Sequence, residues 1–173
     1  MIRKAMPYEY ERVHAFYWQL IDDMQNAEYH PKWQKGIYPT DEDIREAIEQ
    51  SEMYIYLDEN DVVLSAMRVN HSVTEGYDQV EWSIEAEAEE ITVIHMLGVG
   101  VATQGKGVAK EMVNFVIDMA RRDGQKCIRL DVLEGNVPAF RLYESVGFKP
   151  AGSVQLFYED TGLTDFVLYE YNF

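Results

Sequence analysis

The sequence reads Val-Gly-Val-Ala-Thr-Gln-Gly-Lys-Gly-Val-Ala from Val99 to Ala109, and this stretch decides the fold. An apolar run from Ile91 to Val101 leads into it, and a helical pattern begins near Gly107. Small residues at such a turn allow backbone conformations that other residues avoid, and they let a ligand approach the amides. The first N–H groups of a helix have no partner in their own turn, and the helix macrodipole adds partial positive charge there. The stretch therefore predicts a strand-to-helix turn that holds a phosphate or pyrophosphate.

Three phosphate-binding patterns can be compared with this turn. A Walker-type loop begins well at Gly100, but Gly107 stands where that loop needs the Ser or Thr that holds magnesium. A dinucleotide-binding fingerprint fails as well, because Thr103 occupies the position of its third glycine. A third pattern, Gln/Arg-x-x-Gly-x-Gly/Ala, is satisfied by Gln104, Gly107 and Ala109.

Hydrophobic periodicity predicts the element order β-α-α-β-β-β-α-β-α-β-β in one domain over residues 1–173. The strand-helix-strand order between residues 91 and 133 implies a parallel pair with a right-handed crossover, within an α/β (α+β) fold around a mixed sheet. Helices are predicted from Tyr8, from Thr40, from Gly107 to Asp123 and from Val137 to Val146. Strands are predicted at Ile2–Ala5, Met53–Leu57, Val62–Val73, Ile91–Val101 and Cys127–Leu133, with two more after Phe148.

The composition argues against several kinds of partner and site. The formal net charge of -16 argues against nucleic-acid binding, which is driven largely by neutralisation of phosphates, and suits a cationic acceptor such as an amine. No apolar run approaches the ~20 residues of a membrane span, and the first residues lack the apolar core of an export signal. The single cysteine excludes an internal disulfide, and the histidines show no metal-ligand spacing. We therefore expect a cytoplasmic protein without a metal site or a membrane partner.

A second motif reads Asn136-x-x-Ala139-x-x-x-Tyr143-x-x-x-Gly147-Phe148. Ala139 and Tyr143 are four positions apart, so they share one face of the predicted helix. Together with the Gln/Arg-x-x-Gly-x-Gly/Ala pattern, in this order and at this separation, the motif resembles the GNAT superfamily of acetyl-CoA-dependent N-acetyltransferases. The resemblance covers nearly the whole chain, because the element order before and after the two motifs also matches that fold.

This resemblance implies the details of a coenzyme A site. It implies a GNAT-like sheet, mixed and mostly antiparallel, with helices on both faces and a parallel pair that splays apart to form a slot for the pantetheine arm. The pantetheine arm would bond the backbone of Leu97, Val99 and Val101. The pyrophosphate would lie on Gln104, Gly105, Lys106, Gly107, Val108 and Ala109, and the far wall would contain Asn136, Phe140 and Tyr143.

Acetyl transfer from a thioester to an amine makes three chemical demands. The amine must be neutral to attack, although a lysine-like amine has a pKa of about 10.4. The developing oxyanion needs a hydrogen-bond donor, and the resemblance implies the N–H of Val99 for this role. The leaving thiolate benefits from an acid, and the resemblance implies Tyr143, whose phenol is protonated at neutral pH.

The general base and the acceptor contacts are less determined. By the two-residue period of a strand, His95 shares a face with Leu97 and is one candidate base, and a purely structural histidine is the equal alternative. Glu81 is a second candidate that would act through water. The Trp33–Pro39 segment resembles the acceptor lip of small bacterial members, so Trp33 and Tyr38 are expected to contact the acceptor; packing on the sheet is the alternative.

The sequence thus predicts an enzyme that moves the acetyl group of acetyl-CoA directly to a primary amine of a small molecule or a protein. A non-catalytic coenzyme A-binding regulatory module on the same fold is the alternative. A succinyl donor would need a cation near the acyl end, and the sequence offers none that can be assigned. A partner subunit could cover one edge of the sheet, so a homodimer is compatible with the sequence.

Overall fold

A computed structural model describes residues 1–173 as a seven-stranded sheet with helices on both faces. The element order is the predicted one, which confirms the mixed α/β fold class. The strands are β1 Ile2–Lys4, β2 Met53–Leu57, β3 Val63–Asn70, β4 Ile91–Val99, β5 Cys127–Leu133, β6 Lys149–Tyr158 and β7 Gly162–Asn172. The helices are α1 Tyr10–Met24, α2 Asp41–Glu49, α3 Val108–Arg122 and α4 Val137–Ser145. None of these helices combines the length and the apolarity that crossing a bilayer demands.

The sheet has the order β1-β2-β3-β4-β5-β7-β6, and β4 with β5 is its one parallel pair. Helices α3 and α4 pack on one face, where Met112 and Tyr143 join a cluster with Ile128. Helices α1 and α2 pack on the other face, where Val13 and Ile44 belong to a second cluster. The faces predicted from helical periodicity are therefore the faces that are buried.

Strands β4 and β5 are paired only at their first residues. Ile91, Thr92 and Val93 pair with residues 127–129, and the register ends there although both strands continue. Beyond that point β4 stays paired with β3, while β5 stays paired with β7 along its whole length. The two strands therefore separate toward their carboxyl ends, and a slot opens between them.

A bulge in β4 changes which residues face which side of the sheet. Met96 has a φ of 56°, and the β3–β4 register shifts between Ala66 and Arg68. As a result Ile94 and Leu97, three positions apart, both pack against the α3 cluster, whereas Met96 packs with α1 and α2. The expectation that His95 and Leu97 share a face is therefore wrong, because a strict two-residue period does not survive an inserted residue.

Strand β4, which leads into the turn before α3, is shorter than predicted. Strand β4 ends at Val99, and Val101–Thr103 forms one turn of 3-10 helix. Gly107 then takes a left-handed conformation, with φ 87°, immediately before the first residue of α3. The prediction of strand up to Val101 is therefore wrong by two residues, and the backbone of Val101 does not belong to the strand edge.

Candidate active site

A cleft of about 430 Å³ runs along the carboxyl end of β4 and over the turn into α3. Its far wall is the start of α4, which Pro138 helps to begin, since proline suits the first turn of a helix. The cleft therefore lies in the slot that the separated strands create. The predicted cofactor residues that line it are Leu97, Val99, Gln104, Gly105, Gly107, Val108, Ala109, Asn136 and Tyr143.

Three predicted cofactor residues do not line this cleft. Val101 lies in the 3-10 turn and is on the opposite side, against residues of α1. Phe140 packs against Tyr169 of β7, with ring centroids 6.0 Å apart, because it lies one position round from the face of Ala139. Lys106 belongs to the turn, but its side chain is exposed to solvent outside the cleft.

The turn presents a set of backbone donors. The N–H groups of Gly105, Gly107, Val108, Ala109 and Lys110 donate to no protein acceptor. An added Cβ would meet nothing within 4 Å at Gly105 or at Gly107, so the space over the turn is open. Unpaired amides at a helix N-terminus attract anions, and Lys110 adds a formal positive charge. The turn therefore fits the pyrophosphate of a nucleotide cofactor.

The end of β4 also offers a backbone donor on the side of the slot. The N–H of Gly100 donates to the carbonyl of Leu64 in β3 at 2.9 Å. Because successive residues of a strand direct their backbone groups to opposite sides, the N–H of Val99 points into the slot. The carbonyl of Val99 accepts a bond from Nε2 of Gln104 at 3.2 Å, which ties the turn to the strand end.

Tyr143 lies where the cleft meets a second, deeper cavity, and it lines both. Its ring is 7% exposed and packs against Phe148 and Tyr169, at centroid distances of 5.5 and 6.3 Å. Burial raises the pKa of the Tyr143 hydroxyl above its usual value. That hydroxyl bonds no protein atom, and it is not among the enclosed polar atoms, so it faces the cavities. It is therefore a protonated donor at the junction of two chambers.

The deeper cavity, called the inner chamber below, has a volume of about 120 Å³. It shares its entrance residues with the cleft, among them Leu97, Asn136 and Ala139. Trp33 and Tyr38, the two residues predicted on the acceptor lip, both line it. Their rings are 6.4 Å apart, and Tyr38 lies 5.4 Å from the ring of Tyr158 in β6. Aromatic rings thus form part of the wall of the inner chamber.

Asp131 of β5 lines the inner chamber, and sequence reasoning missed it. Its carboxylate accepts hydrogen bonds from the hydroxyls of Tyr77 at 2.7 Å and Tyr158 at 3.1 Å. Desolvation raises the pKa of Asp131, and the two tyrosine bonds act against this rise. A charged residue in the middle of the apolar strand 127–133 was the signal that could have identified it.

A second carboxylate, that of Asp160, reaches the inner chamber from the turn between β6 and β7. Its Oδ1 is buried and has no hydrogen-bond partner. Burial raises the pKa of the Asp160 carboxyl, and hydrogen bonds from the backbone N–H groups of Asp160 and Thr161 act against this rise. The backbone carbonyl of Asp160 accepts a bond from Nε2 of Gln34 at 2.8 Å. Nothing in the sequence distinguishes this turn aspartate from the many acidic residues of the surface.

The two predicted base candidates lie in different environments. His95 lines the inner chamber, with Nε2 3.0 Å from Oδ1 of Asn70, and burial together with nearby Arg68 lowers its pKa to about 4. Glu81 is exposed in the segment between β3 and β4 and lines neither the cleft nor the inner chamber. The structure therefore brings His95 to the site but leaves Glu81 outside it.

A buried ion pair holds the segment that supports Asp131. Arg129 and Glu170 are 3.1 Å apart and almost fully buried, and the Arg129 guanidinium lies 4.2 Å from the ring centroid of Trp82. Glu170 also accepts the N–H of Ser83 at 3.0 Å. These contacts fix residues 77–86 against the sheet, and Tyr77 in that segment donates to Asp131. No group of three or more potential ligands forms a metal site.

Comparisons with known proteins agree with this geometry. Residues 18–148 match the family model described as the acetyltransferase (GNAT) family. The N-alpha-acetyltransferase RimI of Mycobacterium tuberculosis (strain ATCC 25618 / H37Rv) is 33% identical over 69 residues, which span 40% of this chain and only 42% of that relative. A GNAT-family acetyltransferase from Listeria monocytogenes 4b F2365 aligns with a TM-score of 0.76 at 18% identity, over 100% of this chain and 94% of that one. A Salmonella typhimurium protein solved with its cofactor acetyl-CoA aligns with a TM-score of 0.69 at 18% identity, over 99% and 92% of the two chains.

Proposed function

Because the chain belongs to the GNAT acetyltransferase family, we propose that it transfers the acetyl group of acetyl-CoA directly to a primary amine. The observation that supports this most strongly is the position of Tyr143, whose unpaired hydroxyl lies between a cofactor-sized cleft and an inner chamber. Acetyl-CoA supplies the acetyl group as a thioester, so the two chambers would hold donor and acceptor on either side of this phenol.

The turn and the edge of β4 are assigned to binding the donor. Five unpaired N–H groups between Gly105 and Lys110 would hold the pyrophosphate, with Lys106 and Lys110 supplying positive charge at the rim. The Val99 N–H would donate to the thioester oxygen as negative charge develops there. Asn136 and Leu97 flank the path between the turn and the inner chamber.

Tyr143 is assigned as the general acid. Its raised pKa keeps the hydroxyl protonated over the working pH range, so it can donate to the sulfur as the carbon–sulfur bond breaks. The phenolate that remains would take the second proton that the nitrogen loses as the amide forms, which restores the phenol, so that one proton in total leaves to solvent in each turnover. Positioned proton donors of this kind contribute roughly 10²–10⁴-fold to turnover.

The amine's proton is assigned to Asp131 in place of the predicted bases. A histidine whose pKa is lowered to about 4 is a weak acceptor at neutral pH, and Glu81 does not reach the chamber. Desolvation makes the Asp131 carboxylate more basic than an exposed one, and it faces the space where the ammonium would enter. Asp131 would take one proton from the ammonium, leaving a neutral amine with a free electron pair and a neutral carboxylic acid.

Turnover with a panel of primary amines tests the proposal. Release of free coenzyme A thiol, together with mass spectrometry of the acetylated product, should show transfer to at least one amine. Tight acetyl-CoA binding without thiol release would instead support the regulatory-module alternative. A cytoplasmic location and a homodimer stay predictions that cell fractionation and light scattering can test.

A further inference from the structure

The inner chamber holds two carboxylates and no cationic side chain. No lysine or arginine lines it, and neither Asp131 nor Asp160 lies within 4 Å of a protein cation, although Lys32 and Lys35 line the adjoining pocket that Asp160 also reaches. Removing a carboxylate from water is costly unless a cation or hydrogen bonds compensate it. Asp131 is compensated by two tyrosine hydroxyls, whereas Asp160 has one oxygen that no protein group satisfies, so a cationic ligand would complete the chamber.

The two carboxylates differ in how well the protein satisfies them. Asp131 accepts from Tyr77 and Tyr158, so its place and orientation are fixed by the protein. Asp160 leaves Oδ1 buried with no partner, which is the one such side-chain atom in the structure. A native buried acceptor without a partner calls for a donor, and an ammonium group would supply it.

The two carboxylates occupy different parts of the chamber. Tyr143 is at its entrance, and the charge of Asp131 is close enough to raise the pKa of that hydroxyl. Asp160 lines the chamber and also a neighbouring pocket to which Lys32 and Lys35 contribute. Asp131 therefore lies in the part of the chamber that it shares with Tyr143, and Asp160 lies on the side that adjoins the second pocket.

The rest of the wall suits a thin aliphatic cation. Trp33, Tyr38 and Tyr158 line the same chamber as the two carboxylates, and aromatic faces attract ammonium groups. A volume of about 120 Å³ accommodates a short alkyl chain. The wall offers no cation that could hold an acidic group on the acceptor.

We propose that the acceptor is a short aliphatic amine with a second cationic group, which binds Asp160 while the reacting amine lies between Asp131 and Tyr143. The proposal rests on the acetyl-transfer function above and specifies its substrate class. The same arrangement discriminates against amines with a carboxylate at the far end, because that group would meet Asp160 directly. The net charge of -16 favours the approach of a dication.

Three four-carbon amines test the proposal: 1,4-diaminobutane, 1-aminobutane and 4-aminobutanoate. With wild-type enzyme and saturating acetyl-CoA, kcat/KM should be at least about 10-fold higher for the diamine than for the monoamine, and lowest for 4-aminobutanoate. Asp160→Asn should reduce the diamine-to-monoamine ratio by about 10-fold or more, because it removes one partner of a buried charge pair. Glu159→Gln, an exposed neighbour in the same turn that removes the same formal charge, should preserve the ratio.

The result that overturns the proposal is a wild-type ratio near one, or a ratio that Asp160→Asn leaves intact. Preference for a peptide with a free N-terminus over every diamine would also overturn it. Failure of the acetyl-transfer function itself is separable by calorimetry, with 1,4-diaminobutane titrated into the enzyme–coenzyme A complex. Binding that Asp160→Asn weakens supports the cation site even without turnover, and absence of binding to the wild type refutes it.

Discussion

Replacing Tyr143 by phenylalanine separates the proposed proton donor from the packing of its ring. The hydroxyl bonds no protein atom, so its removal leaves no partner unsatisfied. The ring contacts to Phe148 and Tyr169 are kept by phenylalanine. We therefore expect the free energy of unfolding to change by no more than about 0.5 kcal/mol. Turnover should fall by roughly 10²–10⁴-fold, the usual contribution of a positioned acid.

Tyr169→Phe is the matched control for this variant. It removes a phenol from the same aromatic cluster, but Tyr169 lines neither the cleft nor the inner chamber. Its hydroxyl donates to Oε1 of Glu144 at 3.0 Å, so the control should lose about 1 kcal/mol of stability and keep its turnover. Tyr143→Phe should therefore lose activity and keep its stability, whereas Tyr169→Phe should lose stability and keep its activity.

The assay is thiol release at saturating acetyl-CoA and amine, with coenzyme A affinity measured by calorimetry and stability by chemical denaturation. Tyr143→Phe should bind coenzyme A nearly as well as the wild type, since the binding groups lie in the turn and on β4. Wild-type turnover in Tyr143→Phe would refute the acid role. An equal loss of activity in both phenylalanine variants would show that cluster packing, not proton donation, is what the hydroxyl supports.

Three further substitutions test the phosphate-binding turn, the loss of stability at low pH and the buried ion pair. Gly107→Val should weaken coenzyme A binding by about 10-fold or more. The control Gly124→Val has a similar φ of 71° and equally open space, so it should lose stability through backbone strain and keep its affinity for coenzyme A. Equal coenzyme A affinities of the two variants in calorimetry would contradict the phosphate cradle. Hydrogen bonds from an arginine lower the pKa of Glu9 from 4.5 to about 2, so the stabilisation by Glu9 is present above pH ~4.5 and is lost as the pH falls toward 2. Glu9→Gln should remove up to about 3 kcal/mol of this pH-dependent change in the free energy of unfolding. If denaturation of the variant matches that of the wild type both at neutral pH and near pH 2, Glu9 makes no such contribution. Arg129→Met should cost about 3–5 kcal/mol in denaturation, because Glu170 remains buried without its partner, and a loss below about 1 kcal/mol would mean that Glu170 is neutralised or hydrated.

The fold was readable from the sequence because local signals and tertiary packing agree. The periodic face of α3, from Met112 to Ala120, is the face that is buried, and the small residues before it form the predicted turn. The bulge at Met96 was not readable, because its positive φ depends on tertiary contacts and has no sequence marker. Asp131 could have been identified because it is a charged residue within an apolar strand. Asp160 could not, because only the folded chain shows that the β6–β7 turn lies at the chamber.

The bulge also explains how one strand can serve two chambers. Residues 94–97 of β4 line the inner chamber, and residues 97–99 line the cofactor cleft, where the N–H of Val99 also points. The change of phase occurs at Met96, whose carbonyl accepts a hydrogen bond at 2.8 Å from the fully buried Tyr17 of α1. Without that extra residue Leu97 would face α1 and α2, and the edge of the slot would lose its apolar side. The packing of α1 therefore fixes the strand geometry on which both the donor and the acceptor sides of the site depend.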